Sequence, residues 1–151
     1  MKWLMLSGVA VSLAALSYLL LSVGSGPLVA SYQPDLARGE SIYAAACAAC
    51  HGANLEGEAN WRTPGPDGRL PAPPHDVSGH TWHHSDRILL DITMRGTAAV
   101  VGGGYDSNMP GFGDAYSEDE LRDVLEWIKT QWPDRERAHQ AQVTARDEAS
   151  R

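Results

Sequence analysis

Cys47-Ala48-Ala49-Cys50-His51 gathers reactive side chains into five positions and uses both cysteines of the 151-residue chain. Two thiols three residues apart, followed at once by an imidazole, occupy one helical turn, so all three can reach the same side of a flat ligand. C-x-x-C-H is the spacing of c-type haem attachment: the sulfurs meet the two vinyl groups on one porphyrin edge while the histidine turns under the iron. Three other chemistries use the same residue types. A redox dithiol wants a strand before the motif and a βαβ unit around it, and the sequence shows neither. A zinc site needs a second ligand pair, which His75, His80, His83 and His84 could supply. A plain disulfide between Cys47 and Cys50 is the third. The spacing favours one covalent haem c, and a buried porphyrin also explains how a chain with one Phe fills a core.

The motif needs a helix behind it. Asp35 stands at an N-cap position, and Leu36, Gly39, Tyr43 and Ala46 recur on one face of a helix that ends in the motif. Gly39 inside that face costs about 1 kcal/mol relative to Ala, so another element is expected to pack close against it. Between residues 63 and 74 come Pro64, Pro66, Pro71, Pro73 and Pro74 with Gly65 and Gly68, a stiff wrapping loop. A second helix is predicted over 85–95, with Ile88, Leu89 and Ile92 on one face and Gly96 as its stop. Gly102-Gly103-Gly104 opens a loop that runs to Gly113. Ser117 and Glu120 form a capping box for a last helix through Leu121, Val124, Leu125, Ile128 and Trp132, which Pro133 ends. Residues 134–151 are polar and charge-mixed, and read as a solvated, frayed helical tail.

At the other end, residues 3–23 carry no charge and come directly after Lys2. As a helix they would span about 31 Å, close to a hydrocarbon core of about 30 Å. Residues 1–24 are therefore expected to be a transmembrane signal-anchor, with 25–34 a linker. The rival is a signal peptide cleaved near residue 30, although Leu28-Val29-Ala30 puts a bulky residue where a small one is preferred. Either way the 35–133 domain is exported, to the periplasmic or extracytoplasmic side of the membrane.

These residues together resemble the class I cytochromes c, small all-α monohaem electron carriers, over about residues 35–132. The resemblance implies three to four helices wrapped around one covalently bound haem, behind the N-terminal helix. It implies that the first and last helices cross where Gly39 and Tyr43 face Trp127. It also implies that a Pro carbonyl in the Pro-rich loop, from Pro73 or Pro74, accepts the His51 Nδ1–H and orients the ring. With His51 as one axial ligand, Met109 in Asn108-Met109-Pro110-Gly111-Phe112 resembles the M-P-x-F segment that supplies the other. A soft thioether favours ferrous iron and raises the potential. His75, His80, His83 and His84 compete for the same position, and Met94 reads more easily as a core residue. Trp61, Arg62, Arg69, His80 and Trp82 lie in loops where they could surround the haem or meet its propionates.

The chain has 12 Lys and Arg against 19 Asp and Glu, a formal charge of −7, and loses only Lys2 with the first 30 residues. Such an acidic domain is a poor match for nucleic acid, whose phosphates need basic patches. The expected function is single-electron transfer between a donor and an acceptor redox protein, such as a quinol-oxidising complex and a terminal oxidase or reductase. No separate catalytic constellation is visible. The alternatives are a haem enzyme or gas sensor with a labile sixth site, and a fixed electron-transfer subunit of a larger oxidoreductase.

Overall fold

Asp35 starts the first helix: its carboxylate accepts the Arg38 N–H at 3.0 Å, satisfying one of the donors that a helix start leaves open. The computed structural model describes residues 32–151, so the 1–24 segment and most of the 25–34 linker lie outside the described residues. Helix α1 runs Leu36–Ile42 and continues as one π-helical turn, Tyr43–Cys47, in which the Ala48 N–H reaches back to the Tyr43 carbonyl. Helix α2, Ala48–His51, completes the motif. A π turn inserts one residue and so shifts the angular offset of every later side chain on the helix. Here it lies between Tyr43, which faces the core, and the Cys50-His51 end of the motif.

Ser85 caps helix α3, Asp86–Arg95, which Gly96 separates from a short helix α4, Thr97–Val101. Helix α5, Glu118–Thr130, has the capping box of Ser117 and Glu120, with acids in its first turn and Lys129 in its last, matching the helix dipole. Helix α6 is Asp134–Ala149. Among the described residues there is no strand beyond an isolated bridge between Gly96 and Pro110, and no helix is long and apolar enough to cross a membrane.

The fold is organised by the crossing of α1 and α5. A Cβ on Gly39 would overlap the Asp123 carbonyl oxygen and lie 3.1 Å from Trp127 Cβ, so only a glycine lets the two backbones meet. Beside it the Tyr43 and Trp127 rings are 4.9 Å apart. Asp123 is fully buried and accepts from the Asp35 N–H at 2.9 Å and from Arg38 Nε at 2.5 Å. Ile42, Tyr43, Leu55, Val124, Ile128 and Trp132 form the core, with Cys47, Trp82 and Trp127 against it.

Leu36 is 42% exposed while Ile42 is buried, because the crossing centres on Gly39 and Tyr43, and the start of α1 is held by polar contacts to Asp123. One expectation is corrected. Residues 134–149 are not a frayed tail but a docked helix. Gln140 is buried and donates to the His84 carbonyl and Asp86 Oδ1, and Asp147 takes Ser85 Oγ, Arg87 Nε and Arg87 Nη2. Arg87 and Ser85 hold the Asp147 carboxyl down to about 2. Polar docking of this kind leaves no apolar stripe for a periodicity to reveal.

Candidate functional site

His51 ends α2 and is buried. Its Nδ1 is 2.8 Å from the Pro73 carbonyl oxygen; a carbonyl only accepts, so Nδ1 carries the proton and Nε2 keeps its lone pair. Burial pushes the imidazole below its ordinary value, against the raising effects of the Pro73 hydrogen bond and the Glu58 charge. The ring is thus neutral near pH 7, in the tautomer a metal takes. The Tyr43 hydroxyl donates to the Gly52 carbonyl at 2.7 Å and pins the residue next to His51.

The loop carrying Pro73 is held from two sides. Gly57, at φ +66, passes so close that a Cβ there would lie 2.5 Å from Pro74 N and 2.7 Å from the Pro73 carbonyl carbon. The Glu58 N–H donates to the Ala72 carbonyl at 2.9 Å, and the Ala72 N–H donates to Glu58 Oε2 at 2.6 Å. Pro74 is buried, and its carbonyl abuts Gly79 rather than His51.

His75 stacks on His51 with ring centroids 4.0 Å apart. Its N–H donates to the Leu55 carbonyl at 2.8 Å, its carbonyl accepts the Trp132 indole N–H at 2.6 Å, and its Nδ1 shares a 2.7 Å hydrogen bond with the Thr81 hydroxyl. Burial, with His51 and His80 nearby, holds it well below the ordinary histidine range. Face-to-face stacking sets His75 beside His51, whereas a ligand across a metal would have to point its nitrogen back at Nε2.

Cys47 is half-buried and Cys50 exposed, both as free thiols. Burial and then Cys50 push the Cys47 thiol up to about 11, the opposite of the lowered value that activates a redox dithiol. Among the described residues no three or more His, Cys, Asp or Glu side chains gather as a metal-holding group.

Met109 is half-buried, and its N–H donates to Ser107 Oγ at 3.1 Å. Just beyond it, the Phe112 N–H donates to the Thr93 carbonyl at 2.9 Å and the Gly113 N–H to the Met94 carbonyl at 3.0 Å, laying the segment along the end of α3. Met94 is half-buried with its side chain against Gly113. Arg69 joins this segment to the Pro-rich loop, donating from Nη1 to Asn108 Oδ1 at 2.7 Å and pairing through Nη2 with Asp106 at 2.8 Å.

The remaining residues divide into two aromatic stacks. The Trp61 ring has the Arg62 guanidinium over it at 4.0 Å and stacks with His80 at 5.2 Å. Trp82 stacks on His83 at 3.7 Å and meets His139 edge-on at 5.3 Å. Burial lowers both His80 and His84, with neighbouring histidines adding to it. Two N–H donors, Arg69 Nε and Trp82 Nε1, are buried with no hydrogen-bond partner among the described residues.

Sequence reasoning missed three things around this site. Asp123 interrupts the apolar run of α5, a signal that an acid was buried there, and Arg38 on the facing helix is its partner. The Arg69 link to Asn108 and Asp106, and the Trp132 and Thr81 hold on His75, have no sequence signal, since they join residues far apart in the chain. The family model described as Cytochrome c matches residues 36–132. Comparison with curated proteins and with solved structures finds no match.

Proposed function

The chain belongs to the cytochrome c family, and from that premise we propose that it is a single-electron carrier whose one covalent haem c is ligated by His51 and Met109. Haem-based electron transfer and the C-x-x-C-H attachment of haem come with the family, and Cys47, Cys50 and His51 stand at that spacing. The observation that carries the ligation is the Pro73 hydrogen bond: it fixes the tautomer and plane of His51 and leaves Nε2 available.

The residues present fit the group. Cys47 and Cys50 would hold it through two thioethers, and Arg69 Nε and Trp82 Nε1, buried donors without a partner among the described residues, suit the carboxylates that haem brings. When bound, haem supplies the one-electron iron couple. Met109 would offer the soft thioether that favours the ferrous state. Met94, packed against Gly113, and His75, stacked on His51, are less suited to that role. With His51 and Met109 both holding the iron, the protein would leave no place there for substrate, and the chemistry it would support is electron transfer; the exposure of Cys50 supports an exit at the surface.

Residues 1–24 would anchor the domain on the periplasmic or extracytoplasmic face, where it exchanges electrons with a donor and an acceptor protein. The acidic balance of the chain supports docking on basic surfaces, so exchange rates should fall as salt is raised. Purified protein should keep its haem through acidic acetone, give the pyridine haemochrome of a doubly thioether-linked haem, and be low-spin without carbon monoxide binding at neutral pH. A high-spin spectrum with ready carbon monoxide binding would overturn the carrier in favour of an enzyme or sensor.

A further inference from the structure

The Pro-rich loop reaches both proposed axial ligands. At one end the Pro73 carbonyl takes the His51 Nδ1–H at 2.8 Å. Four residues earlier, Arg69 donates from Nη1 to Asn108 Oδ1 at 2.7 Å and pairs through Nη2 with Asp106 Oδ2 at 2.8 Å. Asn108 is the neighbour of Met109.

Arg69 itself stands on a closed turn. Its N–H donates to Asp67 Oδ1 at 3.1 Å, and its carbonyl accepts the Gly65 N–H at 2.8 Å. The Met109 side has less internal support. Gly102, Gly103 and Gly104 have open space around them, and residues 101–106 are exposed. Beyond Met109, Pro110 is fixed by its bridge to Gly96. The stretch between the triple glycine and that bridge gains its cross-loop anchorage from the guanidinium. A planar fork with two carbonyl-type acceptors in reach fixes orientation as well as distance, which a lysine ammonium on a flexible stem cannot do.

We propose that Arg69 is a positioning residue that clamps the Met109 segment to the loop orienting His51, and so sets how readily Met109 leaves the iron. The proposal rests on the His51/Met109 reading. Without the clamp, the 102–109 segment regains conformational freedom that Met109 ligation must then remove, and an external ligand competes more easily for the same position.

The test titrates the ferric holoprotein with imidazole. Arg69→Gln should bind imidazole about tenfold more tightly than the native protein, with the Ser107 and Met109 amides exchanging faster. Arg69→Lys should recover part of the loss. Asn108→Ala should weaken the clamp alone, and in the Arg69→Gln background should add little, because the two residues act as one unit. Native imidazole affinity and native amide exchange in Arg69→Gln would overturn the clamp. Met109→Ala separates the two readings: if it binds imidazole far more tightly than native while Arg69→Gln does not, the ligand stands and the clamp fails. Should Met109→Ala bind imidazole as the native protein does, the ligand assignment fails and takes the clamp with it.

Discussion

Around His51 most of the restraints are part-buried, whereas the cross-loop tie on the Met109 segment lies at the surface. The imidazole ends a helix that continues from the Gly39 crossing, accepts His75 as a stacked neighbour and donates to a carbonyl held by Gly57 and Glu58. Met109 stands between an open triple glycine and the backbone contacts of residues 110–113 with Thr93, Met94 and Gly96, tied across by an exposed Arg–Asp pair. The first arrangement is fixed by the same packing that makes the domain fold; the second is set by contacts that water and ions can compete with. On the proposed His51/Met109 ligation, the pair would have one permanent member and one exchangeable member. The site would then be preorganised on the side of Cys47 and Cys50, and adjustable on the side of Met109.

The largest break of this contrast is Gly39→Val. Its side chain has no room against the Asp123 backbone, so it should cost about 3 kcal/mol or more and lower haem incorporation, read by unfolding midpoint and haem content. Native stability in that variant would mean that the crossing does not organise the site. Next comes Tyr43→Phe, which removes the 2.7 Å donor to Gly52 and should cost about 1 kcal/mol with little change in the spectrum. An altered ligand field there would show that the His51 side is as adjustable as the Met109 side.

The smallest effect is reserved for acid. Arg69 holds the Asp106 carboxyl below its usual range, so the pair contributes above the unfolded carboxylate value of about 3.9 and is lost as pH falls through the lower folded value. Acidification below about pH 4 should loosen the 105–109 amides before those of α1 and α5, as hydrogen exchange would detect. Simultaneous loosening of both regions would erase the distinction.

How much of the molecule was legible in the sequence divides along the same line. C-x-x-C-H, the Gly39 and Tyr43 spacing and the Ser117/Glu120 capping box are local patterns whose physics is written in neighbouring residues, and the helices form there. The choice of Pro73 over Pro74 for the carbonyl that faces His51 needs the loop's path over Gly57, which spacing alone does not give. The π turn arises within an unbroken run of Ala and Tyr with ordinary helix propensity, so nothing marks it in advance. The Arg69 clamp and the docking of α6 through Gln140 and Asp147 depend on polar partners that carry no periodicity. Leu36 stays exposed for the complementary reason: it fits the helical stripe, but α5 meets α1 one turn later.

The most direct test of the ligand pair is the ferric absorption spectrum of the holoprotein beside that of Met109→Ala. A His51/Met109 haem predicts a weak charge-transfer band at the red edge of the native spectrum that disappears in the variant, with a fall in reduction potential. A variant that keeps both the band and the potential would contradict the assignment of Met109, and with it the account of an exchangeable side to this site.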